Sequence, residues 1–159
     1  MKRIGILRHG KAEHHSSADF DRQLSPGGRN AAASLAKKAP SEFGHPELVL
    51  TSPAARALET ARILIRESGF DTSLDVREEM YAAEGEELLD MIAGLPEELE
   101  SIILVGHNPS LEEIIEELTG KPVRLKTAHL YIMDLDISSW TGIYSHGKVI
   151  HHKMVLPSI

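Results

Sequence analysis

The chain of 159 residues predicts an α/β fold, a mainly parallel open sheet with helices on both faces, in a single domain spanning 1–159. Three observations predict it. Short apolar runs alternate with helix-length amphipathic segments, the pattern of successive β–α–β units. Residues 102–105, Ile-Ile-Leu-Val, form an uninterrupted apolar run, as expected for a strand covered on both faces. A polar residue followed by proline recurs at Ser25-Pro26, Ser52-Pro53 and Asn108-Pro109. That pair suits a helix start, because the first helical N–H has no partner within the helix.

Taken in order, residues 3–8 predict the first strand, and residues 10–24, rich in His, Ser and Asp, a loop. Ser25 is then the N-cap and Pro26 the first residue of a helix. Residues 48–51 predict the second strand. Ser52 is expected to cap a helix opened by Pro53, with Ala57, Ala61, Leu64 and Ile65 on its inner face. Residues 74–77 predict a short strand, and 86–95 a helix with Leu88, Leu89, Ile92 and Leu95 inward. After the 102–105 strand, Asn108 caps and Pro109 opens a helix whose core stripe is Leu111, Ile114, Ile115 and Leu118. Residues 125–136 and 148–155 predict two further strands joined by a turn near 142–147.

Composition narrows the function. Hydrophobic residues make up 42% and charged residues 26%, which is globular and not disordered. With no cysteine, disulfides and Cys-based zinc sites are excluded, consistent with a cytoplasmic location. The basic Met1-Lys2-Arg3 start is followed by an apolar run too short for a signal peptide. No apolar stretch approaches a membrane span. The net charge of −7 argues against general nucleic-acid binding. Residues 1–29 hold six Lys/Arg and three Asp/Glu, whereas 78–118 hold thirteen Asp/Glu and no Lys or Arg. The acidic stretch reads first as solvated helix faces, and second as a surface selecting a basic partner. Oligomeric state is left open.

The chemistry concentrates at three strand exits. Ile4-Gly5-Ile6 leads into Leu7-Arg8-His9-Gly10, the 48–51 strand leads to Arg56, and the 102–105 strand leads through Gly106 to His107. Helix N-termini behind such strands aim free N–H groups and a positive dipole end at the sheet's carboxyl edge. Open α/β sheets bind ligands there. Side chains and dipoles therefore agree on an anionic ligand. Gly27-Gly28 lacks the lysine and hydroxyl of a phosphate-binding P-loop. The adjacent pairs His14-His15 and His151-His152 lack the spacing of zinc motifs. His14-His15 follows the Arg-His-Gly closely enough to reach a pocket rim, though surface exposure is the preferred reading. No metal and no cofactor are expected.

The segments Leu7-Arg8-His9-Gly10, Thr51-Ser52-Pro53-Ala54-Ala55-Arg56 and Val105-Gly106-His107-Asn108-Pro109 resemble, in that order, the histidine phosphatase superfamily, also called phosphoglycerate-mutase-like. The short length and the stretch from Asp19-Phe20-Asp21-Arg22 to Gly28-Arg29 resemble its SixA-type phosphohistidine phosphatase branch. The resemblance covers nearly the whole chain. It implies His9 as the nucleophile, since a neutral imidazole nitrogen can attack phosphorus and split one displacement into two. Arg8 and Arg56 are then a phosphate clamp, because the guanidinium fork matches phosphoryl oxygens. His107 hydrogen-bonds the transferring group. Arg22 is a further candidate for the pocket, with an ion pair to Asp19 or Asp21 as its alternative. Asn108 is a cap first and a ligand contact second. Glu79 and Glu84 are the candidates for a general acid, each equally readable as a solvated surface glutamate. SixA-type proteins are similar to this one in lacking an obvious acid.

The leading expectation is a metal-independent phosphatase acting through phosphohistidine on His9, with a phosphorylated signalling protein, typically a phosphotransfer domain, as substrate. A small-molecule phosphomonoesterase is the runner-up. A mutase ranks third, because shielding its intermediate from water requires a lid for which the chain has little material. A non-catalytic phosphate-binding module would not need a free nucleophile.

Overall fold

The computed structural model describes residues 1–14 and 18–158. Six strands form one sheet: β1 (Lys2–Arg8), β2 (Leu48–Thr51), β3 (Ser73–Val76), β4 (Ser101–Gly106), β5 (Leu130–Leu135) and β6 (Val149–Val155). Their order is β3-β2-β4-β1-β5-β6. The four strands on the β3 side are parallel, and β5 runs antiparallel to both of its neighbours. Helices α1 (Pro26–Phe43) and α2 (Ala55–Ser68) cover one face; α3 (Gly85–Ala93) and α4 (Ser110–Thr119) cover the other. The expected fold class and mainly parallel sheet are what the structure shows.

Alternation along β4 explains its apolar run. Ile103 and Val105 pack with Leu35, Ala39 and Phe43 of α1 and Ala57, Ala61 and Leu64 of α2. Ile102 and Leu104 pack with Leu88 and Ile92 of α3 and Ile114, Ile115 and Leu118 of α4. Each fully buried Leu or Ile contributes about 1.5–3 kcal/mol relative to exposure, so this two-sided core anchors the central strands. Gly5 makes room for it, since a Cβ there would lie 3.1 Å from both Ile103 and Phe43.

The helix starts divide. Ser25 caps α1 as expected, its Oγ accepting from Gly28 N at 2.9 Å with Pro26 as the first helical residue. The other two expectations are corrected. Helix α2 starts at Ala55 with no side-chain cap, because Ser52 Oγ accepts from Ala54 N instead, at 3.2 Å, and turns toward the site. Helix α4 starts at Ser110, because the Asn108 side chain crosses to Leu125 O, donating at 2.8 Å. Strand β5 begins at Leu130 and not at 125: residues 125–129 instead wrap Arg8, His9 and Asn108. The expected turn near 142–147 overlaps a 3-10 helix, Trp140–Tyr144, whose Trp140 is wholly buried and donates to Leu99 O at 2.9 Å. Among the described residues no helix is long and apolar enough to cross a membrane.

Candidate active site

Strands β2, β4 and β1 lie side by side and end level, with Thr51 opposite Val105 and Arg8 opposite Gly106. Their exits therefore deliver Ser52, His107 and His9 to one place. His9 N donates to Gly106 O at 3.2 Å and Ser52 N to Val105 O at 3.1 Å, extending the ladder one step past each strand. A pocket of about 290 Å³ opens there, lined by Arg8, His9, Arg22, Arg56, His107 and Asn108, together with Lys11, His14 and Thr127. His15 lies outside the described residues.

Two contacts set the His9 tautomer. Nδ1 lies 2.7 Å from Gly10 O, and a carbonyl only accepts, so Nδ1 carries the hydrogen. Arg56 Nε donates to His9 Nε2 at 3.4 Å, so Nε2 presents its lone pair. Burial, chiefly, pushes the His9 pKa down to about 3. The Gly10 contact opposes this, while His107, Arg56 and Arg8 add to it. At neutral pH the ring is a neutral imidazole whose unprotonated nitrogen faces Arg56 Nε.

Arg56 sits in the first turn of α2 and is only 7% exposed. Thr60, one turn on, donates to Arg56 O at 2.7 Å and accepts from Gly10 N at 3.0 Å, tying α2 to the His9 loop. The outer guanidinium nitrogens donate to Asp19, Nη1 to its carbonyl at 2.8 Å and Nη2 to Oδ2 at 3.0 Å. Arg8 donates from Nη1 to Leu125 O at 3.3 Å. Its Nε is buried with no partner among the described residues. His107 Nε2 is 2.8 Å from Ser52 Oγ, and its ring centroid is 5.2 Å from that of His9. Burial first, then Arg56, lower the His107 pKa to about 4, with Asp19 opposing. The site thus combines one unprotonated imidazole nitrogen with the buried Arg56, the half-buried Arg8 and a second neutral histidine.

Arg22 satisfies both of its readings. It lines the pocket and also donates to Asp19 Oδ1 at 3.1 Å and Glu13 O at 2.8 Å. Asn108 lines the pocket with its amide committed to Leu125. The general-acid candidates are not brought in. Glu79 is exposed and pairs with Arg77 at 3.4 Å. Glu84 is held in the capping box of α3 and faces a separate cavity of about 510 Å³ with Asp90, Glu113 and Glu117. Proximity in sequence to the β3 exit did not bring either side chain to the pocket. The glutamates on α3 and α4 are mostly solvated, as preferred from sequence. Glu112 differs, being half-buried and accepting from Leu125 N at 2.7 Å.

Four contributors escaped the sequence reading. Ser52 is expected from sequence as a helix cap, and Thr60 carries no expectation of its own. Asp19 enters the sequence reading as part of the 19–29 stretch and as a partner for Arg22. Ala128 has φ of 60, a conformation uncommon outside glycine. Its N–H donates to both Arg8 O and His9 O, at 3.0 and 3.2 Å. No sequence signal marks an alanine for that role.

Comparison with known proteins gives this geometry its context. The family model for the histidine phosphatase superfamily (branch 1) matches residues 4–152. The chain is 30% identical to a protein provisionally assigned as the phosphohistidine phosphatase SixA of Agrobacterium tumefaciens, with a TM-score of 0.80 over 96% of this chain and 97% of that one. The protein histidine phosphatase SixA solved with tungstate superposes with a TM-score of 0.81 at 22% identity, over 94% of this chain and 95% of that one. A provisionally assigned alpha-ribazole-5'-P phosphatase of Escherichia coli shares the fold at 15% identity, with a TM-score of 0.70 over 100% and 98% of the two chains. The chain belongs to the histidine phosphatase superfamily, and within it to the SixA type. It is a phosphatase.

Proposed function

We propose that this phosphatase hydrolyses phosphohistidine on a protein, through a covalent phosphohistidine on His9 and without a metal. One observation carries the reading: with Nδ1–H held by Gly10 O, His9 Nε2 is the unprotonated nitrogen, its lone pair aimed at Arg56 Nε and exchanged from that contact to phosphorus on attack, inside a pocket walled by Arg8 and His107. In the first step Nε2 attacks phosphorus and the bond to the leaving group breaks, with its electron pair departing on that group. Water then attacks the phosphorus on His9, releasing phosphate and returning the lone pair to Nε2. Arg8, Arg56 and His107 hold the equatorial oxygens through both steps. As His9 gains positive character on phosphorylation, Gly10 O stabilises its Nδ1–H.

The pocket size supports a protruding side chain as substrate. About 290 Å³ is at the small end of ligand sites, room for a phosphoryl group and a ring. The 30% identical relative also bears the phosphohistidine phosphatase designation. Lys11 and Arg22 in the pocket lining favour a second reading, a small phosphomonoester with an additional acidic group. Brief reaction with a ³²P-labelled phosphohistidine protein, followed by an acid-free quench, should leave an acid-labile, alkali-stable label on His9. Label on serine or a carboxylate, or wild-type turnover by His9→Ala, would overturn the mechanism. Faster turnover of sugar phosphates than of phosphohistidine would favour the second reading.

A further inference from the structure

A carboxylate stands where phosphate chemistry gives it no evident use. Asp19, in the 3-10 turn Asp19–Asp21, accepts from Arg56 Nη2 at 3.0 Å and from Tyr81 OH at 2.7 Å on Oδ2, and from Arg22 Nη1 at 3.1 Å on Oδ1. It offsets part of the positive charge that an anion needs, so something else must favour it. A carboxylate has about four lone-pair sites. These contacts use three, and the side chain is 53% exposed, leaving one acceptor position on Oδ1 open to solvent. Around it stand two aromatic rings. Tyr81 meets His107 edge-on at 5.8 Å, and Phe20, partly exposed, meets Tyr81 edge-on at 5.0 Å. Arg56 is the shared wall, with Nε facing the His9 nucleophile and the other end of its fork facing Asp19.

We propose that Asp19, flanked by Tyr81 and Phe20, is the leaving-group subsite of this phosphatase, holding the protonated imidazole ring of a phosphohistidine by its second nitrogen. The inference rests on the phosphohistidine reading above. A phosphorylated imidazole keeps one basic nitrogen, with a pKa taken as near that of histidine, about 6.5. Protonation there makes the ring a good leaving group. When the P–N bond breaks, its electron pair returns to the departing nitrogen, and the ring leaves neutral with its proton still on the second nitrogen. A nearby carboxylate favours that protonated form, and the aromatic edges accommodate its flat faces. The subsite does the work of a general acid without donating a proton, which accounts for Glu79 and Glu84 lying elsewhere. An alkoxide or phenoxide leaving group carries no proton to present and meets Asp19 as a like charge.

The groups facing Asp19 are the Tyr81 hydroxyl and the guanidinium groups of Arg22 and Arg56. Asp19 is held near 2, most strongly by the Tyr81 hydroxyl, and that contact raises the Tyr81 pKa. Asp21 lies on the same turn. His14 and Lys11 line the neighbouring pocket beside Arg56.

The test measures kcat/KM of the full chain for a phosphohistidine peptide and for p-nitrophenyl phosphate between pH 5.5 and 8.5. Asp19→Asn should lower the ratio of the two by about tenfold to a hundredfold, the range for a lost hydrogen bond to a charged group. It should also move the alkaline limb of the phosphohistidine profile to lower pH, and Asp19→Glu should restore part of both. An equal loss on both substrates, with an unmoved limb, would show that Asp19 only steadies Arg56 and would overturn the subsite. So would an unchanged ratio. A wild-type enzyme that turns over p-nitrophenyl phosphate but not the phosphohistidine peptide would instead overturn the substrate reading, and the subsite with it.

Discussion

At the residue scale, the site works by fixing hydrogen-bond direction. Gly10 O takes one His9 nitrogen and Arg56 Nε points at the other, so as the proposed nucleophile His9 needs no deprotonation at neutral pH. In that mechanism Arg56 serves His9, a phosphoryl group and Asp19 from one rigid fork. Lysine keeps the charge and loses the fork. Arg56→Lys is expected to lower kcat by about a hundredfold or more while the protein still folds, measured by steady-state kinetics beside a urea melt. Near-normal kinetics would remove Arg56 from the phosphoryl site. In the proposed mechanism Arg8, Arg56 and the histidines neutralise and hydrogen-bond the phosphoryl group without an ion. Activity should accordingly survive exhaustive chelation. Loss on chelation, restored by a divalent ion, would contradict the metal-free mechanism.

At the element scale, the site depends on how closely α1 docks behind the nucleophile. Ser25 N and Oγ both donate to Lys11 O, at 2.9 and 3.1 Å. Two glycines permit this approach: a Cβ on Gly28 would fall 2.0 Å from Lys11 O, and one on Gly10 would fall 2.9 Å from Gly28 O. Gly28→Ala is expected to cost about 1–3 kcal/mol or more, as overpacking does, and to lower kcat by displacing His9. Its neighbour is the control. A Cβ on Gly27 meets nothing nearer than Ser25 Oγ at 3.9 Å, so Gly27→Ala should be neutral or stabilising by up to about 1 kcal/mol. Urea midpoints of the two variants decide it, and similar values for both would refute the docking argument.

At the scale of the whole molecule, burying two neutral histidines couples folding to pH. Folded pKa values of about 3 for His9 and about 4 for His107 lie below the unfolded value of about 6.5. Below pH 6.5 the unfolded chain binds more protons, so stability is lost as pH falls from about 6.5 toward 4. Each histidine contributes a slope of about 1.4 kcal/mol per pH unit well inside that window. Asp19, held near 2, contributes stability that is lost only below its unfolded value of about 3.9, outside the window. Urea unfolding at pH 5, 6 and 7 should therefore show a slope that His107→Asn reduces by about one proton's worth. An unchanged slope would mean that His107 is not held neutral by the fold.

Much of this was legible in the sequence, for a physical reason. Strand and helix periodicity depend on local geometry, so β2 was placed at 48–51 and the inner faces of α2, α3 and α4 were named correctly. A strand buried on both faces announces itself by continuous apolar residues, as β4 does. Motifs at strand exits imply a shared edge, and the pocket indeed gathers Arg8, His9, Arg56 and His107. Side-chain partners across elements were not legible. Ser52 and Asn108 had equally good local roles as caps, and only the tertiary structure set them against His107 and Leu125. Ala128 adopts its backbone because two carbonyls await its N–H, and Asp19 faces Arg56 because the turn folds across from another element. The chain by itself determined which elements form and which chemistry they carry to one edge. Which hydrogen bond each polar group makes there was decided by tertiary packing, because polar groups choose among competing partners that no local pattern ranks.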